Sequence, residues 1–293
     1  RQQHSAASGL RVAIVTDSAA DLPDAIAERY AIGVVPARVD LDGRDYLDKV
    51  GLSTGEFYRR MAASQQLPRT SQPPQGDFVR QFELALAHHA QVLYVGLSRA
   101  VSGTLQSGEH AAARTGNGRV QVFDTINAAS GQALLVWRAA EMAEAGADET
   151  AILAELERRR PQTRLWAITR DIRHAVRGGR IPRWAAPLAS LTALTPLARM
   201  REDGTMGVAG VLFARERAAE VFAKRVAGKL PAGSSWRVIV GHCDAAEEGQ
   251  RLLAALKASV DISESFLVET GAAIGAHAGR GALIVAVQPA PTE

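Results

Sequence analysis

The chain has 293 residues, 47% of them hydrophobic and 22% charged, with a formal net charge of +3 and a single cysteine, Cys243. This composition excludes a disordered chain and an intramolecular disulfide framework, and the longest uncharged apolar run, residues 184–198, is too short to cross a bilayer. The net charge hides an asymmetry: residues 158–225 hold 15 Arg and Lys against 5 Asp and Glu, a candidate face for an acidic partner or an anionic ligand.

In chain order, RVAIVTD (11–17) reads as a buried strand. DLPDAIAERYA (21–31) reads as a helix with Asp21 near its cap and Pro23 in its first turn. IGVVPARV (32–39) is the next strand, and Ser53 with Glu56 has the spacing of a capping box. The loop RTSQPPQGD leads to a helix over 78–88, then a strand over 92–97. A strand at 119–124 precedes a long helix over 128–145 and another ending near Arg160. Strands separated by helical stretches predict an α/β fold with a mainly parallel sheet in the first half.

A boundary near RRRPQTR (158–164) divides the chain into domains 1–160 and 161–293. Beyond it, RLWAIT, MGVAGVLF, RVIVGHC, SESFLVE and ALIVAV read as strands of a second α/β unit packed closely on the first. The run 184–198 reads as a buried helix or the wall of an apolar pocket. The start, RQQHSAASG, lacks the apolar core of a secretory leader and an initiator Met, as in a piece or processed form of a longer chain. The lone cysteine suits a reducing cytoplasm, and no stable membrane insertion is expected. Aromatics are not interleaved with the arginines, so no nucleic-acid partner is expected.

Ligands of open α/β sheets bind beyond the carboxyl ends of the strands. That directs attention to Asp17-Ser18, the 97–107 loop, Asp124-Thr125 and Gly241-His242. Ser102 or Ser107 with His277 and Asp17 would make a hydrolytic triad, but G-x-S-x-G is absent around the serines. Neither G-x-x-x-x-G-K-[ST] nor G-x-G-x-x-G follows the first strand, and RGGR (177–180) is a phosphate cradle or simply a turn. Metal binding has no support, since the histidines are scattered and His88 and His89 point apart on a helix. The remaining chemistry is carboxylate binding by neutral donors: Thr70, Ser71, Ser102, Thr104 and His277, each flanked by Gly or Pro. Hydroxyls in such places also serve as helix caps, and a histidine as a structural hydrogen-bonder.

Five stretches together carry more than any one of them. IVTDSAADLP (14–23), TSQPPQGDF (70–78), GLSRAVSGTLQSG (96–108), RGGRI (177–181) and IGAHAGRGAL (274–283) resemble, in order and spacing, the DegV family of bacterial fatty-acid-binding proteins. The resemblance extends from about residue 11 to residue 288.

It implies two α/β domains with a lipid tunnel between or beside them. It also implies a bound long-chain fatty acid whose carboxylate is fixed by Thr70, Ser102 and His277, with no other cofactor. Ser71, Gly103 and Thr104 accompany that clamp, Gly103 letting the backbone turn close to the ligand, and Arg180 matches an arginine at the head-group and transfer end. Such a protein performs no catalysis itself and presents its ligand to a separate ATP-dependent fatty acid kinase, whose docking face would be the basic segment. The alternative is an acyl or ester hydrolase using Ser102 and His277. Two departures stand out: Phe213 occupies an expected arginine position, and Gly279-Arg280-Gly281 replaces G-P-G, making Arg280 a candidate substitute for that arginine.

Overall fold

A computed structural model describes residues 11–170, 173–181, 194–214 and 216–291. The β-branched run of β1 (Val12–Asp17) is buried on both faces, as a central parallel strand requires. Helix α1 (Asp24–Arg29) begins later than its pattern predicts, with Pro23 as N-cap. Asp21 does not cap it: the residue is left-handed (φ 45°), and its carboxylate points into the protein.

The strand expected over 32–39 is split at Pro36, which has no N–H for a ladder. It becomes β2 (Gly33–Val35) and β3 (Arg38–Leu41), which join different sheets. A tight turn with positive φ at Asp42 and Gly43 leads into β4 (Arg44–Leu47). Ser53 caps α2 (Thr54–Ala63) by accepting the Glu56 N–H at 3.3 Å; the Glu56 carboxylate pairs with Arg59 and Arg60. Part of the loop after it is β5 (Arg69–Ser71), and α3 (Gln75–Leu86) starts before Phe78.

Next come β6 (Gln91–Gly96), α4 (Thr104–Ala112), β7 (Val120–Asp124), α5 (Ala129–Glu144) and α6 (Glu149–Arg159). After them follow β8 (Arg164–Ile168), α7 (Arg173–Arg177), β9 (Thr195–Met200) and β10 (Met206–Leu212). The chain closes with α8 (Ala218–Ala227), β11 (Trp236–His242), α9 (Ala246–Lys257), β12 (Ile262–Glu269), α10 (Ala272–Ala278) and β13 (Leu283–Pro289). Residues 195–198 of the run read as a buried helix or a pocket wall are strand, and Ala198 lines the cavity described below. Most of that run lies outside the described residues.

Among the described residues these strands form three sheets. One is all parallel, in the order β2-β1-β6-β7. A six-stranded mixed sheet runs β10-β9-β8-β13-β11-β12, with only β11 and β12 parallel. A small antiparallel sheet, β4-β3-β5, completes the set.

Helix α5 ties the two large sheets together. It is buried nearly all round, and its Leu134, Leu135, Val136 and Trp137 pack in one cluster with Val12, Leu93 and Val95 of the parallel sheet and Ile239 and Ile284 of the mixed one. The Arg237 guanidinium lies 4.1 Å from the centre of the Trp137 ring and is paired with Glu141 and Glu264, clamping the helix to β11.

Candidate functional site

Where the carboxyl ends of β1 and β6 face the mixed sheet, a cavity of about 380 Å³ opens, a volume suited to a small ligand. Its walls are largely apolar and small: Ala19, Ala37, Ala128 and Ala129 on one side, Ala167, Ala198 and Ala282 on the other. Leu97, Val101, Leu165, Met200, Met206, Ile274 and Ile284 fill in between. Alanine at inward strand positions leaves room that leucine or valine would occupy. An alanine at one of these positions carries no such message in a sequence, so this lining was not legible there.

The polar groups gather at one end. Thr70 of β5 and His277 of α10, distant in sequence, meet with Oγ1 and Nε2 2.7 Å apart. Burial, with the positive charges of Arg180 and His174 nearby, holds the His277 imidazole down to about 4, so it is neutral at ordinary pH. With Nε2 protonated, the ring donates to Thr70 and the Thr70 hydroxyl is free to donate into the cavity.

Ser102 repeats the arrangement at the start of α4. Its Oγ accepts the Thr104 N–H at 3.2 Å and lies 2.8 Å from the Thr104 hydroxyl. With the Thr104 hydroxyl as donor, the Ser102 hydroxyl is, like that of Thr70, free to donate into the cavity. Thr104 is buried, whereas Ser71 is exposed at the rim.

The glycines of the sequence motifs have distinct reasons. Gly103 has an ordinary φ of −73°, so it is not needed for the turn. A Cβ there would lie 2.1 Å from Gln72 Oε1, so a larger residue would push the exposed Gln72 amide aside. Gln72 is also on the cavity wall, beside Gly103. RGGR is a turn: it closes α7, with Gly179 at φ +74° and the Arg180 N–H donating to Ala175 O at 3.0 Å. A Cβ on Gly178 would sit 2.5 Å from His277 Nδ1, so this glycine admits the imidazole. Arg180 then lines the cavity, and its guanidinium donates to Gly178 O.

Other expectations are corrected. The Ser–His–Asp relay is not assembled among the described residues: Ser102 bonds Thr104, and His277 bonds Thr70. The Asp17 carboxylate accepts from Tyr94, Leu97, Ala19 and Gln132. Arg280 is not on the cavity wall; it lies exposed, its Nε 2.8 Å from Asp244 Oδ2. Phe213 is also away from the cavity, 84% exposed just past β10.

A second group, invisible in the sequence, fixes the helix that carries His277. The Asp21 carboxylate accepts the Gly271 N–H at 2.8 Å, and Asp48 accepts those of Ala272 and Ala273 at 2.9 and 3.2 Å. Lys49 Nζ lies 3.1 Å from Asp21. Two carboxylates, from 224 to 250 residues away in sequence, thus hold the N-terminus of α10.

Known proteins share this fold and sequence pattern. The family model described as uncharacterised protein, DegV family, matches residues 11–290. A DegV domain-containing protein of Listeria innocua is 30% identical over 278 residues, which are 93% of this chain and 96% of the relative. The solved structure of a DegV lipid-binding protein from Thermotoga maritima superposes with a TM-score of 0.88 at 26% identity, covering 97% of this chain and 100% of that one. A DegV family protein from Thermus thermophilus, described as binding fatty acid, gives a TM-score of 0.83 at 32% identity, covering 96% and 100%. In sequence and in fold, the chain belongs to the DegV family.

Proposed function

We propose that this protein carries a long-chain fatty acid, with the acyl chain in the apolar cavity and the carboxylate on Thr70, Ser102 and His277. The observation that carries the reading is an apolar cavity whose polar end is made of hydroxyls and a neutral imidazole. The fatty-acid binding of the Thermus thermophilus relative supports it.

The energetics fit such a ligand. Burying an acyl chain yields roughly 0.8 kcal/mol per methylene, on the order of 10 kcal/mol gross for a sixteen-carbon tail. A buried carboxylate without donors would cost several kcal/mol, roughly, so the hydroxyls offset a penalty and fix orientation. We extend the reading to presentation of the acid to a separate ATP-dependent fatty acid kinase, as the resemblance implies. Arg180, at the polar end, is the cation we assign to the transfer step. In this reading the protein has no turnover of its own.

Mass spectrometry of an organic extract of the purified protein tests the proposal. A stoichiometric free fatty acid supports it and identifies the preferred chain. An empty extract, together with failure to take up added palmitate or oleate, would sink it.

A further inference from the structure

We infer that the tail end of the cavity is closed by a wall one side chain thick, Leu165 and Met200, and that this wall sets the longest acid the protein accepts. The inference rests on the fatty-acid reading of the cavity. Both residues line the apolar cavity and also a separate cleft of about 1030 Å³. Each therefore faces an apolar cavity on one side and a more polar, charge-lined cleft on the other.

The wall stands opposite the polar end. Strand β8 runs from Leu165 towards Thr169, whose Oγ1 donates to Ala278 O at 2.7 Å, beside His277. At a strand rise of roughly 3.3 Å per residue, Leu165 lies about 13 Å from that end. Extended palmitate is longer than this, so its tail reaches the wall or bends before it. Leu165 is buried in the core shared with α5, but Met200 is only half-buried and sits directly across the β9–β10 pair from Met206. An unbranched thioether side chain can move aside at small cost.

Beyond the wall the chemistry reverses. The cleft presents Arg160, Arg164, Arg199, Arg201 and Lys229 with Glu157, Glu202 and Asp203. Glu157 is already paired with Arg160, and among the described residues Arg199 and Lys229 form no ion pair. The cleft also holds Ile126, Pro161 and Trp166, so a hydrocarbon terminus pushed through would gain less burial there than in the cavity, whereas a terminal carboxylate would meet cations. The wall therefore rejects over-long monocarboxylic acids, and an opened wall favours α,ω-dicarboxylic acids.

Lipid-stripped full-length protein is titrated with palmitic acid, docosanoic acid and docosanedioic acid, and melting curves confirm that each variant folds. The wild type is expected to prefer palmitic over docosanoic acid by about tenfold or more, some 1.4 kcal/mol. Met200→Ala is expected to shrink that ratio to about threefold or less, and Met200→Phe to shift preference towards shorter acids. In the Met200→Ala background, the diacid should bind more tightly than the monoacid. Added salt, or Arg199→Glu with Lys229→Glu, should erase that margin.

An unchanged chain-length ratio in folded Met200→Ala overturns the wall. A gain for docosanoic acid with no diacid advantage overturns the connection to the cleft. If wild type and variants all fail to bind palmitic acid, the fatty-acid reading falls, and this inference with it.

Discussion

His277 enters the folded protein at a cost that depends on pH. Its imidazole titrates near 6.5 in an unfolded chain but only at about 4 in the fold, because burial and the neighbouring Arg180 and His174 disfavour the cation. Between those values the unfolded state binds a proton that the native state does not. Stability from this residue is therefore complete above pH 6.5, declines as pH falls towards 4, and is level below. The span is on the order of 3 kcal/mol. Denaturant melts at pH 7 and pH 4.5 should show the loss, and His277→Gln should remove that part of it; an identical decline in the variant would assign it elsewhere. A carboxylate bound at Thr70 would attract the proton, so NMR titration should find His277 shifted upwards in the fatty-acid complex. Thr70→Val keeps the shape and deletes the donor. It should weaken fatty-acid binding by about tenfold or more, as loss of one hydrogen bond to a charged group implies, and it should also lower stability by about 1–3 kcal/mol, because the largely buried His277 N–H loses its acceptor.

At the scale of elements, α10 shows how much a short helix depends on its surroundings. Its own sequence, AAIGAHA, is too short to be stable alone. Asp21 and Asp48 hold its first N–H groups, and Tyr58 Oη donates to Thr270 O at 2.8 Å just before it. Asp48→Asn leaves one oxygen for two N–H groups and brings its own N–H donors towards them. It should cost about 1–3 kcal/mol in stability. It should also broaden or shift the His277 ring signals, a local effect that a destabilising substitution far from α10 would not produce.

None of this clamp could be read from the sequence. Asp21 sits before a helical pattern and looks like a cap, and Asp48 belongs to no periodic segment. Strands β1, β6 and β13 were legible as apolar runs, and β7 and β11 as apolar runs interrupted by Gln121 and by Arg237. Strands β4 and β5 were not, being short with partly exposed faces, and the strand expected over 32–39 reaches only the first two residues of β3. Thr70, Ser102 and His277 were identifiable by family motif, and it is the fold that joins Thr70 to His277.

Over the whole molecule, the division we propose at residues 160 and 161 separates sheets and not cores. Helix α5 belongs to the first half by sequence, yet Leu165, Ile239, Ile284 and Ala286 of the second half pack in its cluster. The sequence of α5 is interrupted by Ser130, Gln132, Arg138, Glu141 and Glu144, so it announces neither burial nearly all round nor which sheet covers which face. Cutting the chain after residue 160 would expose one side of α5 on one fragment and the inner face of the mixed sheet on the other. Neither fragment should fold alone, and the intact protein should unfold in one cooperative step. Because the cavity lies between the same sheets, its ligand stabilises both at once, raising the melting temperature with ligand concentration as mass action requires. Calorimetry with and without palmitate distinguishes the cases. One transition that moves as a unit is expected; two transitions, with only one shifted, would mean that the halves fold separately and that the ligand belongs to a single sheet.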